Sequence, residues 1–187
     1  VKEIDDLNVL LVGPQKIVEE KLEVISRKLF LKKYVDKLAI VNAEEIVSMD
    51  EQPSKALKTK QNSSIAVGIK LIKENLADGF ISAGNSGVIM AFALTQLGTV
   101  KNVSRPAIAT VLPTLSSSCV LLDVGANVDC KPSQLVELAY IGSIYYEYIL
   151  GKKEPKVAIL SIGSEETKGN QQVLEAYKIL KQTKLNF

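Results

Sequence analysis

Short apolar runs alternate with amphipathic segments along this chain, and this alternation limits the possible folds more than any other feature. "LNVLLVG" (7–13) and "KLAIVNA" (37–43) are almost continuously apolar, as buried parallel strands are. Between them, Pro14 suits a first helical turn, and Ile17, Val18, Leu22 and Ile25 recur at helical spacing. Strands that alternate with helices predict an α/β fold with a mostly parallel sheet, covered by helices on both faces.

Three strand–loop–helix units follow a further helix, which we predict over residues 63–77 because Ile65, Ile69 and Ile72 form an apolar stripe. Right-handed crossovers would place the strand-to-helix loops along one edge of the sheet, where open α/β sheets bind ligands. We therefore expect a single α/β domain over residues 1–187. The units comprise strands 78–82, 119–124 and 156–162, loops 83–87, 125–133 and 163–170, and helices 88–98, 134–151 and 171–182.

The composition argues against several classes of function. The formal net charge is only +2 and aromatic residues do not alternate with basic ones, so we expect no nucleic-acid partner. The chain has no His and no CxxC pair, so we expect no metal, and Cys119 and Cys130 read as reduced thiols of a cytosolic protein. Dinucleotide and P-loop fingerprints are absent. An enzyme of this composition must use Lys, Asp, Glu, Asn and backbone N–H groups.

The loop "SAGNSG" has the properties of an anion site. Gly84 and Gly87 permit a sharp turn, and Asn85 and Ser86 can donate hydrogen bonds. The helix that follows would point its free N–H groups at the loop, which suits phosphate. The alternative is an ordinary turn with helix capping.

Two later loops carry the strongest candidates for chemistry. In "LLDVGANVD", Asp123 ends a buried strand, where a carboxylate must be paired or hydrogen-bonded, and Asn127 follows in the turn. In "SIGSEETKGN", Lys168 lies just before a helix N-terminus, an unfavourable place for a cation unless an anion binds there. Glu165 and Asn170 flank it; the alternative is a solvated loop.

The segment "MDEQPSKALKTKQNSSI" (49–65) is too polar for a core and concentrates Asp50, Glu51, Lys55 and Lys58. By itself it reads as a charged loop with a helix cap at Ser63 or Ser64. Yet "MDEQPSKAL", "SAGNSG", "RPAIATVLPT", "LLDVGANVDCKP" and "SIGSEETKGN" occur together, and in this order they resemble the bacterial phosphate acyltransferases of phospholipid synthesis, the PlsX family.

The resemblance implies transfer of an acyl group from acyl–acyl carrier protein to inorganic phosphate, without a cofactor. The acyl phosphate would pass to a membrane glycerol-3-phosphate acyltransferase. It also implies a cytoplasmic homodimer with peripheral membrane contact, and a three-layer α/β/α sandwich similar to phosphotransacetylases and isocitrate- or isopropylmalate-type dehydrogenases. Members of the family carry a further glycine-rich "DAMGGD"-type loop that this sequence lacks, so we expect a fragment of a longer enzyme.

With the resemblance, residues 49–65 are expected in the substrate cleft. Asp50 or Glu51 would orient a lysine or accept a proton, while Lys55 and Lys58 would gather phosphate or the carrier protein. Lys168 and the Asn85–Ser86 turn would bind phosphate, Asn127 or Asn170 would hold the oxyanion, and Asp123 would orient its neighbours. The remaining alternatives are a non-catalytic phosphate- or nucleotide-binding module, a phosphotransacetylase acting on acyl-CoA, or a dehydrogenase on the same fold.

Overall fold

The computed structural model describes residues 7–28 and 37–187. They form two compact units, which divide between Gly98 and Thr99. The first unit contains β1 (Val9–Gly13), α1 (Gln15–Lys28), β2 (Leu38–Asn42), α2 (Pro53–Thr59), α3 (Ser64–Lys73) and α4 (Ser86–Gln96). The second contains β3 (Ala109–Pro113), β4 (Ser118–Leu122), α5 (Pro132–Leu150) and α6 (Gln171–Leu180).

The first two strands form the parallel pair that their apolar runs predict. Val9 pairs with Leu38 and Gly13 with Asn42, with α1 as the crossover between the strands. The backbone N–H of Ala43 donates to the carbonyl of Gly13 at 3.0 Å, which extends the ladder beyond β2. The side chain of Asn42 accepts from the N–H of Gln15 at 3.0 Å and so satisfies a donor at the start of α1.

A helical core holds the rest of the first unit together. It consists of Ala56 from α2, three residues of α3, and Val88 and Phe92 from α4. Phe92 and Val88 are almost fully buried, and each contributes about 1.5–3 kcal/mol relative to an exposed side chain. Ser63 is also buried, and its hydroxyl caps α3 by accepting from the N–H of Ala66 at 3.3 Å. The predicted helix over residues 63–77 is confirmed, but it ends at Lys73.

The second unit begins with a hairpin. β3 and β4 pair antiparallel from Ala109–Leu122 to Pro113–Ser118, and the N–H of Thr114 donates to Ser117 across the turn at 2.9 Å. Gly142 of α5 lies against β4, since a Cβ there would come 3.1 Å from Leu122. Gly151 ends α5 in the left-handed conformation, at φ 68°, as helix C-termini commonly require.

The mixed α/β class is confirmed, but the strands differ from the sequence prediction in three places. Residues 78–82 and 156–162 form no strand, and β3, which was not predicted, pairs antiparallel with the predicted strand at 119–124. Strand formation depends on a partner for the backbone polar groups. Among the described residues, the backbone of 156–162 has one such bond, from the N–H of Val157 to the carbonyl of Asn186 at 2.8 Å.

Within the described residues, no helix has both the length and the apolar character that crossing a membrane requires. The expected single domain and the shared edge for all strand-to-helix loops stay predictions.

Candidate functional site

Asn85 joins two of the segments that the sequence singles out in the first unit. Its side-chain nitrogen donates to the carbonyl oxygens of Glu51 at 2.9 Å, Met49 at 3.0 Å and Ser48 at 3.3 Å. Its side-chain oxygen accepts from the N–H of Val88 at 3.1 Å and caps α4. The residue is buried, so these bonds hold "SAGNSG" against "MDEQP" and leave its amide no proton to donate to a ligand.

The anion-binding potential of this turn therefore lies in the backbone. The N–H groups of Ser86 and Gly87 have no protein acceptor among the described residues, and both residues are exposed. A Cβ at Gly87 would come 3.1 Å from the ring of Pro53, so the close approach of α2 and α4 favours glycine here. The backbone N–H of Gly84 donates to the Ser82 hydroxyl at 3.1 Å, which fixes the position of Gly84 in the turn.

The charged side chains of residues 49–65 are mostly exposed. A hydrogen bond from the Ser48 hydroxyl, and more weakly the positive charge of Lys55, hold the pKa of Asp50 below its usual value. Lys58 lies in the last turn of α2, where a cation is favoured by the helix dipole. Glu51 is half-buried and contributes its carbonyl to the Asn85 contact. The structure thus brings Asp50, Glu51 and Lys55 to the turn that Asn85 holds.

In the second unit, the Asp123 carboxylate is surrounded by donors. It accepts from the backbone N–H of Ile108 at 3.0 Å, of Ala126 at 3.2 Å and of Asn127 at 2.7 Å. The Asn127 side chain donates to it at 2.7 Å and also to the carbonyl of Pro106 at 3.1 Å. The partly buried carboxylate is thus satisfied by the protein, as its position at the strand end requires.

These contacts keep Asp123 ionised. Partial burial is the largest single influence and would raise its pKa, but the hydrogen bonds from Ile108, Asn127 and Ala126 together outweigh it and lower the pKa below its usual value. A carboxylate with a lowered pKa is a poor base, which agrees with an orienting role.

The loop over residues 163–170 presents Lys168 just ahead of α6. The Ser161 hydroxyl donates to the Lys168 carbonyl at 2.9 Å, and the Lys168 N–H donates to the Glu165 carbonyl at 2.9 Å. Glu165 and the stem of Lys168 both lie over Gly163, where an added Cβ would meet them at 2.8 and 3.0 Å. In the described part of the chain, no carboxylate lies within ion-pair distance of the Lys168 amine.

The two asparagines considered for the oxyanion differ in what their amides can still do. Both protons of the Asn127 amide are occupied, by Asp123 and by Pro106. Asn170 uses only its side-chain oxygen, which accepts from the N–H of Val173 at 2.9 Å and caps α6. Its NH₂ group has no acceptor among residues 7–28 and 37–187, so Asn170 keeps two donors beside Lys168.

Contacts that the sequence did not suggest connect the same loop to α6 and to Lys181, which follows that helix. Glu166 lies 3.4 Å from the amine of Lys181, and that amine sits 5.5 Å from the centre of the Tyr177 ring. Hydrogen bonds from Tyr177 and then Lys181 hold the pKa of Glu166 below its usual value. The sequence does show that Tyr177 and Lys181 are four residues apart and so lie on one helix face. This spacing does not indicate that Glu166 of the loop is their partner.

This loop and α6 border a cleft of about 400 Å³ within the second unit. Lys168, Lys181, Glu165 and Glu166 contribute charged side chains to its lining. The lining also contains half-buried apolar side chains, among them Val157, Ile159, Leu174 and Phe187, and the two serines Ser161 and Ser164. No group of three or more His, Cys, Asp or Glu residues that could hold a metal ion occurs in the described ranges.

Comparison with known proteins places the chain in a family. All of it, residues 1–187, matches the model of a family described as "Fatty acid synthesis protein". The chain belongs to this family. Together with the relatives described next, the match confirms the resemblance that the motifs indicated.

Curated relatives of this chain carry the name phosphate acyltransferase. The relative from Desulforamulus reducens is 44% identical over 181 residues, which are 97% of this chain and 52% of that protein. The relative from Desulfitobacterium hafniense is 47% identical over 185 residues, again 97% and 52%. The relative from Dictyoglomus thermophilum is 47% identical over 177 residues, 94% and 51%. The chain therefore spans about half the length of the curated relatives it matches.

Proposed function

We propose that this protein transfers a fatty acyl group from acyl–acyl carrier protein to inorganic phosphate, which yields an acyl phosphate for phospholipid synthesis. The observation that carries this proposal is the similarity, over almost the whole chain, to proteins named phosphate acyltransferase. That name specifies an acyl group and phosphate. We add the carrier protein as the donor of the acyl group.

Phosphate would bind beside Lys168. The lysine is exposed, is not paired with a carboxylate in the described part of the chain, and precedes the positive end of α6. Asn170 adds an amide with two unused protons two residues away. A cation and neutral donors on one short loop suit a dianion that must be held through its oxygens.

In the reaction, a phosphate oxygen attacks the thioester carbonyl carbon, the C–S bond breaks, and the carrier's thiolate leaves. Orientation of the two reactants can supply about 7–11 kcal/mol of barrier lowering. Donors aimed at the tetrahedral oxyanion contribute about 2.7–4 kcal/mol each. We assign the oxyanion contact to Asn170 rather than Asn127, because the Asn127 amide is already occupied.

The remaining predicted residues receive supporting roles. Asp123 fixes the 123–127 turn through its four hydrogen bonds. In the first unit, the Ser86 and Gly87 N–H groups offer a second place for an anionic part of a substrate. Asp50 or Glu51 would orient Lys55, and Lys55 and Lys58 would meet the acidic carrier protein.

The same proposal includes its setting. The protein would act as a homodimer in the cytoplasm with peripheral membrane contact, and a membrane glycerol-3-phosphate acyltransferase would consume the acyl phosphate. An acyl phosphate is a reactive mixed anhydride, so rapid transfer to the next enzyme limits its hydrolysis.

The test is to incubate the full-length protein with palmitoyl–acyl carrier protein and inorganic phosphate and to measure acyl phosphate and free carrier thiol. We expect both in equal amounts. Formation of neither would favour a non-catalytic phosphate-binding module. A strong preference for acetyl-CoA would favour a phosphotransacetylase, and a requirement for a nicotinamide cofactor would favour a dehydrogenase.

A further inference from the structure

The cleft beside Lys168 has more apolar surface than phosphate binding needs. Val157, Ile159, Leu174 and Phe187 all line it and are half-buried, and the ring of Tyr177 stands edge-on to Phe187 at 5.4 Å. Its volume of about 400 Å³ lies in the range of small-molecule sites, roughly 300–1,000 Å³. Phosphate alone would leave this apolar wall in contact with water.

The charged and the apolar side chains of the cleft differ in exposure. Lys181 is paired with Glu166 at 3.4 Å, whereas the Lys168 amine has no carboxylate within ion-pair distance in the described part of the chain. Both lysines and both glutamates are exposed, while Val157, Ile159, Leu174 and Phe187 are half-buried. An uncharged apolar group against the half-buried side chains would leave the charged groups in contact with water.

We propose that this cleft holds the acyl chain of the thioester donor, and that Leu174 and Ile159 determine which chain lengths the enzyme prefers. This inference rests on the proposed function, because it places the chain beside the lysine assigned to phosphate. A chain against Leu174 and Phe187 lies in the same concavity as Lys168, so its carbonyl carbon and the phosphate can meet at the lining. The cleft thereby serves as a bisubstrate site built from α6, the loop before it and residues 157–159.

Chain-length selectivity of the full-length enzyme tests the assignment. Leu174→Trp should fill the cleft and lower kcat/KM for palmitoyl–carrier protein at least about tenfold relative to hexanoyl–carrier protein. We expect at least this factor because a single methylene group in an apolar pocket can change kcat/KM about tenfold. Ile179→Trp is the matched control, because Ile179 is an apolar residue of the same helix that does not line the cleft. It should change both substrates equally. Equal losses for both substrates in Leu174→Trp would overturn the proposal.

A binding measurement separates this inference from the proposed function. By calorimetry, decylphosphonate should bind the full-length protein at least about tenfold more tightly than methylphosphonate, and Leu174→Trp should abolish the difference. If no acyl phosphate is formed but this difference is seen, the cleft stands and the proposed reaction fails. If acyl phosphate is formed but the wild-type protein binds both phosphonates equally, the reaction stands and the cleft assignment fails. The wild-type comparison remains decisive even if Leu174→Trp does not fold.

Discussion

The side-chain nitrogen of Asn85 donates to the carbonyl oxygen of Glu51, 2.9 Å away and 34 residues earlier in the chain. Through this bond and those to Met49 and Ser48, one buried amide satisfies three backbone carbonyls. The Asn85 side chain therefore holds together two of the segments that are typical of the family. Both protons of its amide are occupied by these hydrogen bonds. Asn85 positions the turn, and the adjacent N–H groups of Ser86 and Gly87 have no acceptor in the part of the chain that the structure describes.

Replacement of Asn85 by alanine should destabilise the protein by about 2 kcal/mol or more. The variant loses a helix cap, worth about 0.5–2 kcal/mol, and the hydrogen bonds from the Asn85 amide to three partly buried carbonyls, worth about 0.5–1.5 kcal/mol each. Urea denaturation measures the change. Asn170→Ala, which removes only an exposed cap, is the control and should lose about 1 kcal/mol. Equal losses of unfolding free energy in the two variants would contradict the stabilising role of the Asn85 hydrogen bonds.

Asp123→Asn should destabilise the protein by at least about 1.5 kcal/mol at pH 7, because a charged acceptor of several N–H donors is lost. The folded-state pKa of Asp123 is lowered, so its contribution is present above the unfolded value of about 3.9 and is lost as the pH falls through the folded value. The stability difference between wild type and variant should therefore shrink in strong acid. Denaturation curves at pH 7 and in strong acid measure it; a difference that does not depend on pH would refute the argument.

Gly169→Ala should cost more stability than Gly151→Ala. Both glycines have positive φ, but that of Gly169 is 128°, outside the left-handed helical region that other residues tolerate, whereas that of Gly151 is 68°. A Cβ at Gly169 would also come 2.8 Å from the Ser161 hydroxyl, while one at Gly151 meets nothing within 4 Å. We expect an excess of about 1–3 kcal/mol in thermal or urea unfolding. Similar losses in both would show that the loop before α6 adapts freely.

Lys168→Ala should abolish most acyl phosphate synthesis and raise the KM for phosphate, with little change in thermal stability. The side chain is exposed and has no carboxylate partner among the described residues, so its loss removes little from the folded state. Lys178→Ala, on an exposed face of α6, is the matched control and should behave like wild type. Normal turnover in Lys168→Ala would remove the lysine from the proposed site.

The affinity for acyl–carrier protein should weaken as the salt concentration rises, because the carrier is acidic and exposed charges are screened beyond about 8 Å at physiological ionic strength. Lys152 and Lys153 form an exposed basic pair after α5. Reversal of both charges to glutamate should raise the KM for the carrier substrate while leaving the KM for phosphate unchanged. Steady-state kinetics at several salt concentrations measure both. A KM for the carrier substrate that changes neither with salt nor with the charge reversal would count against docking at Lys152 and Lys153.

Local patterns in the sequence determined a large part of this protein. Apart from α2, which forms where the sequence by itself predicts a charged loop, the helices follow from apolar residues at helical spacing. The α3 cap at Ser63 follows from a serine before such a stripe. The first two strands follow from two apolar runs around a helix, and the motifs identified the family. These features depend on residues close in the chain, so periodicity and capping chemistry suffice to predict them.

Only the tertiary structure decided which polar groups are already occupied. Asn85 and Asn127 look like free donors in the sequence. In the structure, backbone carbonyls 21 to 37 residues away and the nearby Asp123 carboxylate accept their protons. The strand assignments failed for the same physical reason. Residues 78–82 and 156–162 have the apolar character of strands but form none, whereas β3 forms because β4 is there to pair with it. Whether a segment meets a hydrogen-bond partner, even within a hairpin such as β3 and β4, depends on the path of the backbone, which local composition does not specify.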